Sequence, residues 1–234
     1  MLDALFESVR ESRKQFSVYA HADDAADVDG LFAGHNVAVE RRPLPPDGPP
    51  PFLVVEEDDE FVGAVGLETL EALLEPPRHR PSESVPGISA AYRVLFEALD
   101  ETVFAAMRRR ELVAVSREIE ERAYRVGEGT LRVGFQNLST FRHQVGVYRG
   151  LASRSMLDVH VYGASDWEPP TIPGVSYHEY PDRSLEAYWV VAFDEGAPGG
   201  QTTALVARET ADGYEGFWTD DPEMTREVTA ALES

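Results

Sequence analysis

The sequence predicts an α/β protein with a mixed sheet, in which helices flank parallel crossover units and a C-terminal antiparallel meander follows. The first observation is a strand pattern, a helical period and a second strand pattern joined by short links, over residues 130–135, 138–151 and 157–162. Short links of this kind favour parallel strands with a right-handed crossover. The second observation is a run of three apolar strand patterns separated by polar turns, which is typical of an antiparallel meander. These strands lie at residues 188–193, 203–208 and 214–218.

The N-terminal part of the chain repeats the strand–helix–strand pattern. Apolar residues at helical spacing predict a first helix over residues 2–14. The short links that follow predict a parallel strand pair, and an acidic turn between two apolar runs predicts a β-hairpin. The predicted elements are a strand at 16–20, a helix at 23–33, a strand at 36–41 and hairpin strands at 52–56 and 61–65.

A proline-rich segment separates this region from the rest of the chain. Residues 76–86 read PPRHRPSESVP, and this composition is typical of a linker. A short predicted helix at 68–75 precedes it. We therefore expect an N-terminal α/β region over residues 1–85 and a second domain over residues 86–234. The alternative is that both parts form one continuous domain.

The second domain contains the longest predicted helix, over residues 108–126. Its apolar stripe consists of Leu112, Val115, Ile119, Ala123 and Val126. Gly127 and Gly129 predict the end of this helix and a turn, and Ser139 is expected to cap the helix at 138–151. The remaining predicted elements are a helix at 88–99, strands at 102–106 and 175–180, and a C-terminal helix that begins at Asp221 and Pro222.

The charge of the chain is unusual. It carries 42 acidic residues against 21 basic ones, for a net charge of -21, and Lys14 is its single lysine. A surface rich in carboxylates stays hydrated where salt screens other interactions, which is typical of proteins from halophiles. The same charge disfavours nucleic-acid binding, which needs basic residues against phosphate.

Cysteine and membrane segments are absent from the sequence. Without cysteine the chain has no disulfide, thiol nucleophile or cysteine metal site. No apolar run approaches the roughly 18 residues of a membrane span. The N-terminus also lacks the basic start and apolar core of a signal peptide. We therefore expect a cytoplasmic protein with no membrane partner.

One block of the sequence resembles a known family. Residues 116–136 read SREIEERAYRVGEGTLRVGFQ, and the similarity continues through NLST at 137–140, EAYWVVAFD at 186–194 and YEGFWTDDP at 214–222. These segments resemble the DICT sensory domain, a family named for its occurrence in diguanylate cyclases and two-component systems. The resemblance covers roughly residues 88–234 and is to a short stand-alone member from a halophilic archaeon. It implies a sensory role in signal transduction and no catalytic residues.

Common catalytic and nucleotide-binding motifs are missing. The chain has no G-x-S-x-G elbow, no G-x-x-x-x-G-K-[ST] loop and no G-x-G-x-x-G after a strand. Its six histidines are scattered, and none pairs with another at i, i+4 as helical zinc ligands would. His160 and His178 lie on separate predicted strands that could bring them together. We expect no catalytic residue and no metal site, and the sequence identifies no cofactor.

A basic island interrupts the acidic sequence. Residues 108–154 contain ten arginines against five glutamates. On the predicted helix, Glu118 with Arg122 and Glu121 with Arg125 stand at i, i+4, and such pairs support a helix weakly. In this interpretation the charges have no role beyond the helix itself.

A second interpretation of the same island is an anion-binding surface. Arg117 and Arg122 could form one patch with Arg142 and Arg149 of the following helix, because arginine pairs well with carboxylate and phosphate. Acidic residues of the chain could equally neutralise these arginines. Both interpretations stay open on the sequence alone.

Two further groups suggest a ligand pocket. Gln136 and Ser139 lie where a predicted parallel strand ends and a helix begins, a position at which α/β proteins bind ligands. The alternative is a turn with a helix cap. Trp189 and Trp218 of the meander could stack on a planar ligand, although residues of this type also fill cores.

These observations predict a non-enzymatic sensory or regulatory module. It would bind a small molecule or a signalling partner such as a histidine kinase, a cyclase or a transcription regulator. Two alternatives stay open: an enzyme with an unrecognised carboxylate-based active site, using Glu118 or Glu121, and a purely structural protein-interaction module. The expected ligand-binding residues are Arg117, Glu118, Glu121, Arg122, Gln136, Ser139, Arg142, Trp189 and Trp218.

Overall fold

The fold was examined in a computed structural model of the chain. The structure describes residues 2–11, 15–21, 36–57, 60–68, 100, 102–107, 109–154, 156–180 and 183–233. The chain divides into two compact units, one of residues 1–7 and 105–234 and the other of residues 8–104. The helices predicted at 23–33 and 88–99, the linker at 76–86 and most of the helix at 68–75 lie outside the described residues. The domain boundary predicted at residues 85 and 86 lies there too, so it stays a prediction.

The unit of residues 8–104 contains a four-stranded sheet with the strand order β2-β1-β3-β4. β1 and β2 are parallel, whereas β1 with β3 and β3 with β4 are antiparallel. The predicted parallel pair and the predicted hairpin are therefore confirmed. The helix before this sheet is α1 (Leu2–Glu11), and the strands are β1 (Gln15–Ala20), β2 (Ala38–Pro43), β3 (Phe52–Glu57) and β4 (Glu60–Gly66).

The other unit is built on a seven-stranded sheet with the order β5-β11-β10-β9-β6-β7-β8. β6, β7 and β8 run parallel to one another, and β6, β9, β10 and β11 are successively antiparallel. This is the predicted mixed α/β sheet with a C-terminal meander. Its strands are β5 (Phe104–Met107), β6 (Glu128–Asn137), β7 (Met156–Ala164), β8 (Val175–His178), β9 (Tyr188–Asp194), β10 (Thr202–Thr210) and β11 (Gly213–Thr219).

Helices cover both faces of this sheet. Successive side chains of a strand point to opposite faces. Trp189 and Val191 of β9 line a cavity with residues of the helix at 109–126, whereas Val190 lies with Leu232 of the C-terminal helix beside Gly134. The helices are α2 (Arg109–Val126), α3 (Leu138–Phe141), α4 (Val145–Arg154), a 3₁₀ helix (Arg183–Ala187) and α5 (Pro222–Glu233).

The single helix predicted over 138–151 is wrong, because a turn separates α3 from α4. In this turn the N–H of Arg142 donates to the Ser139 carbonyl at 3.2 Å, and that of Gln144 donates to the Phe141 carbonyl at 2.7 Å. Bonds of this i→i−3 type tighten the chain and stop a regular α-helix. The turn places the Gln144 side chain at the site described below.

The two glycines after α2 form the predicted helix end and turn. Gly127 has φ +80°, and its N–H donates to the Ala123 carbonyl at 2.9 Å. Gly129 has φ +103°, and a Cβ there would lie 2.5 Å from the Asp194 carbonyl oxygen. Gly127 is favoured because of its positive φ. Gly129 is favoured because of its positive φ and because a side chain there would clash with the Asp194 backbone.

Candidate functional site

The buried face of α2 carries polar side chains among its apolar ones. Leu112, Ile119 and Ala123 of the predicted stripe are fully buried. Ser116 and Glu120 lie on the same face and are only 3% and 5% exposed. A buried polar group is costly unless it is hydrogen-bonded, so the partners of these two residues matter.

Glu120 is held from two sides by side chains of the chain itself. One carboxylate oxygen accepts a hydrogen bond from the Arg117 guanidinium, and the other accepts one from the Tyr148 hydroxyl. The same guanidinium also donates to the side-chain oxygen of Gln144. We call Arg117, Glu120, Gln144 and Tyr148 the Glu120 cluster. It connects α2 to the turn before α4 and to α4 itself.

Burial dominates the proton affinity of the cluster. It raises the pKa of the Glu120 carboxyl, although Arg117 and the hydrogen bond from Tyr148 act in the opposite direction. Burial and the neighbouring Glu120 raise the pKa of Tyr148 well above its ordinary value. Tyr148 therefore stays protonated and serves as a hydrogen-bond donor to the carboxyl.

The Glu120 cluster lines a narrow cavity between α2 and the sheet. With the present side-chain positions the enclosed space has room for about one water molecule. The Arg109 guanidinium carbon lies 5.8 Å from the centre of the Trp189 ring, close enough for a cation–π contact. The remaining lining residues are Val113, Ser116, Phe135, Trp189 and Val191.

Of the residues predicted to bind a ligand, Arg117 and Trp189 line this cavity. Arg122 instead faces Asp220, with nitrogen–oxygen distances of 2.8 and 3.1 Å to the two carboxylate oxygens. Glu118 accepts from Arg122 at 3.5 Å, as its i, i+4 spacing predicts. These charges belong to an ion-pair group at one end of α2.

Glu121 and Trp218 stand in different surroundings. Glu121 is exposed and lies 3.9 Å from Arg125, its predicted i, i+4 partner. Trp218 is 3% exposed within β11, opposite Leu205 of β10. The core interpretation of Trp218 accounts for this burial.

At the end of β6, where a ligand pocket was predicted, Ser139 bonds an acidic side chain of the chain. The Ser139 N–H donates to Asp166 at 2.8 Å, and its hydroxyl donates to the other oxygen of the same carboxylate. These bonds lower the pKa of Asp166. Ser139 is not a cap, which corrects the prediction, because Asn137 occupies the N-cap position of α3. Gln136 is half-buried on β6 nearby.

Arg142 and Arg149 complete the predicted arginine patch. The Arg142 guanidinium carbon lies 5.1 Å from the centre of the Trp167 ring, and Arg149 is exposed on α4. Since Arg117 and Arg122 each face a carboxylate, the arginines do not present one uniform basic surface. Whether any of them binds a ligand stays a prediction.

On the opposite face of the sheet the structure brings two predicted histidines together. His160 Nδ1 and His178 Nε2 are 2.9 Å apart, and His160 Nε2 lies 3.1 Å from an Asp158 oxygen. A carboxylate can only accept, so His160 Nε2–H donates to Asp158. In a singly protonated ring Nδ1 is then the acceptor, and His178 Nε2–H donates to it. Burial, and next the neighbouring His160, lower the pKa of His178.

Comparison with known families supports the resemblance seen in the sequence. The model of the family described as DICT, the sensory domain in diguanylate cyclases and two-component system, matches residues 92–210. The chain belongs to this family. It therefore contains a sensory domain of signalling proteins, and the Glu120 cluster lies within the matched segment of the DICT domain.

Other comparisons add little about the DICT protein. No curated protein matches it. The solved structures that match include a crystal structure of polyphosphate kinase from Porphyromonas gingivalis, with 11% identity and a TM-score of 0.37. The match covers 100% of this chain and 48% of the kinase chain, and so loose an overlap supports no conclusion about fold or activity. Within the described ranges, no helix is long and apolar enough to cross a membrane.

Three members of the Glu120 cluster were missed by sequence reasoning, namely Glu120, Gln144 and Tyr148. Glu120 carried a detectable signal, because it stands beside Ile119 and three residues before Ala123 on the apolar side of α2. A charged residue at such a position predicts a buried partner. Its partner Tyr148 is 28 residues away and gave no local signal.

Proposed function

We propose that this DICT domain is a non-enzymatic sensory module whose small-molecule ligand enters the cavity under α2. The observation that carries the proposal is the Glu120 cluster, a buried polar network that both lines a cavity and links two helices. Buried polar groups of this kind cost stability unless fully paired, so a ligand that changes their pairing changes the position of the helices. The signal would then pass from α2 to α4.

The cluster favours a sensor over the enzyme with a carboxylate active site. Glu120 has the raised pKa expected of a general acid or base. However, each of its oxygens already accepts a hydrogen bond from a side chain of the chain itself, one from Arg117 and the other from Tyr148. A general base needs a free oxygen within hydrogen-bond reach of its substrate. The arrangement is therefore better suited to a bonded network that a ligand rearranges.

The output of the sensor would be a contact with a signalling partner. The family occurs with diguanylate cyclases and two-component systems. A histidine kinase, a cyclase or a transcription regulator would read the ligand-dependent position of α4. The Arg117 to Gln144 bond is suited to this role, because it joins α2 to the turn from which α4 begins.

The test compares ligand retention by two tryptophan substitutions on the same helix. Val113 lines the cavity, and Val115 is a half-buried residue of α2 outside the lining. Protein purified in high-salt buffer is analysed by mass spectrometry for released small molecules, and exchangeable ligands are sought by thermal shift. We expect a compound that the wild type and Val115→Trp bind and that Val113→Trp does not.

Hydrogen exchange then tests the coupling. The compound should change the exchange of α4 amides in the wild type and leave them unchanged in Val113→Trp. Binding that survives Val113→Trp, or a wild type that retains and responds to no compound, would contradict the proposal. The protein-interaction alternative would then be favoured.

A further inference from the structure

Arg117 is the cation that pairs with Glu120 in the cavity. Its guanidinium reaches inward from α2 and donates to two acceptors, the Glu120 carboxylate and the Gln144 side-chain oxygen. Its side chain is 25% exposed, whereas that of Glu120 is 7% exposed. The guanidinium thus lies on the more exposed side of the cavity, and the carboxylate lies on the more buried side.

The two groups that accept hydrogen bonds from this guanidinium are those that recognise a cation, and two aromatic rings line the same cavity. Glu120 supplies negative charge, Gln144 supplies a carbonyl oxygen, and the Trp189 and Phe135 rings supply aromatic surface. Aromatic faces and carboxylates together attract cations in partly desolvated sites. Apart from Arg117, the lining residues include no basic side chain, and the Arg109 guanidinium approaches the Trp189 ring to 5.8 Å.

Removal of Arg117 would leave a buried carboxylate without its cation. Such a group is strongly unfavourable, so a second cation or a proton must replace the guanidinium. While Glu120 is ionised, its charge also disfavours an anion beside it. The sequence predicted a positively charged arginine patch. The carboxylate that pairs with Arg117 instead carries a negative charge.

We infer that the ligand of the cavity is a small planar organic cation of the guanidinium or amidinium type, which displaces Arg117 from Glu120 and Gln144. This inference rests on the proposed function and names the chemical class of its ligand. We expect a small ligand, because displacement of Arg117 would free a space about as large as one guanidinium group. Displacement also breaks the link between α2 and the turn before α4.

The experiment uses methylguanidinium at millimolar concentration, with urea as its uncharged counterpart of similar shape. In Arg117→Ala the acceptors are free, so methylguanidinium should raise the melting temperature saturably and urea should not. The double variant Arg117→Ala with Glu120→Gln should lose this response. Acetate tests whether the site prefers a cation to an anion. Methylammonium tests whether it prefers a planar cation to a tetrahedral ammonium group.

Wild-type protein supplies the second measurement and does not depend on the folding of any variant. Methylguanidinium must compete with Arg117 there, so its apparent affinity should be about tenfold or more weaker than in Arg117→Ala. NMR titration should show saturable shifts at Gln144 and Trp189. Absence of saturable binding to the wild type would overturn the inference, as would tighter binding of acetate or a response to urea equal to that to methylguanidinium.

Failure of this inference and failure of the proposed function can be separated. If methylguanidinium fails but a released compound is lost in Val113→Trp, the cavity binds a ligand of other chemistry. If methylguanidinium stabilises only Arg117→Ala and never binds the wild type, Arg117 is a permanent part of the fold. The inference is then wrong even though the acceptors recognise a guanidinium.

Discussion

The hydroxyl of Tyr148 on α4 donates a hydrogen bond to the carboxylate of Glu120 on α2, and both side chains are buried. Each residue alone would be an unfavourable polar group in an apolar layer. Together with Arg117 and Gln144 they connect two helices through side chains rather than through backbone. The stability of this contact and the sensing role that we propose for it are therefore linked.

Tyr148→Phe tests the contact directly. The substitution keeps the ring and removes the donor, so one oxygen of Glu120 loses its partner. We expect the free energy of unfolding to fall by about 1–3 kcal/mol. Urea denaturation of the variant and of Tyr124→Phe provides the comparison, because Tyr124 is an exposed residue of α2. Equal stability of the two variants would mean that the Tyr148 hydroxyl does not stabilise the carboxyl.

The histidine pair should make stability depend on pH. Burial and His160 lower the folded-state pKa of His178 below its ordinary value of 6.5. The folded state then binds a proton less readily than the unfolded state, so this contribution is present above pH 6.5 and is lost as pH falls through the folded pKa. Among the charged and titratable groups nearby, His160 and Arg132 lower the pKa of His178, Glu233 and Asp158 raise it, and the Tyr162 ring stacks on the imidazole.

His178→Gln should reduce the loss of stability between neutral and mildly acidic pH. His143→Gln is the matched control, because His143 is exposed in the turn between α3 and α4. Thermal unfolding at a series of pH values measures both variants. A wild-type slope that persists in His178→Gln would assign the pH dependence to other groups.

The contact between Arg122 and Asp220 should stabilise the unit more than the surface pairs of the same helix. Asp220→Asn removes one charge of a partly buried pair with two short contacts, and we expect a loss of about 1–2 kcal/mol. Glu121→Gln removes an exposed charge 3.9 Å from Arg125, and we expect a change within about 0.5 kcal/mol. Chemical denaturation at one ionic strength compares the two, and the prediction fails if Glu121→Gln is the more damaging change.

Two glycines should respond to alanine in opposite directions. At Gly129 the φ of +103° and the 2.5 Å approach to the Asp194 carbonyl oppose any side chain, so Gly129→Ala should cost about 2 kcal/mol or more. Gly150 lies inside α4, and an added Cβ would meet nothing within 4 Å beyond its own helix backbone and chain neighbours, so Gly150→Ala should stabilise by about 0.5–1 kcal/mol. Melting temperatures of the two variants should therefore lie on opposite sides of the wild type.

Local patterns predicted most of the described elements. The apolar stripe of α2 was predicted well for Leu112, Ile119 and Ala123, which are fully buried, and less well for Val115 and Val126, which are half-buried. The break between α3 and α4 was missed, because residues 142–144 contain neither glycine nor proline. Only their i→i−3 hydrogen bonds reveal it.

The candidate site was predicted less completely than the fold. Arg117 and Trp189 were expected to bind a ligand, and they do line one cavity. Arg117 was expected to group with other arginines, whereas the structure places Glu120 and Gln144 beside it. Charge along the sequence showed that a basic island exists but not which acidic residue faces each guanidinium.

By itself the sequence determined the mixed α/β class, the strand patterns of the meander and the membership in the DICT family, because these depend on periodicity and on motifs that are local in the chain. Tertiary structure alone decided that the carboxylate of Glu120 meets the hydroxyl of Tyr148, and that Arg122 meets Asp220 across 98 positions. Such contacts depend on how helices pack on a sheet. The charge of the cavity and the hydrogen-bonding groups that line it therefore depend on the fold, because burial and side-chain pairing determine them.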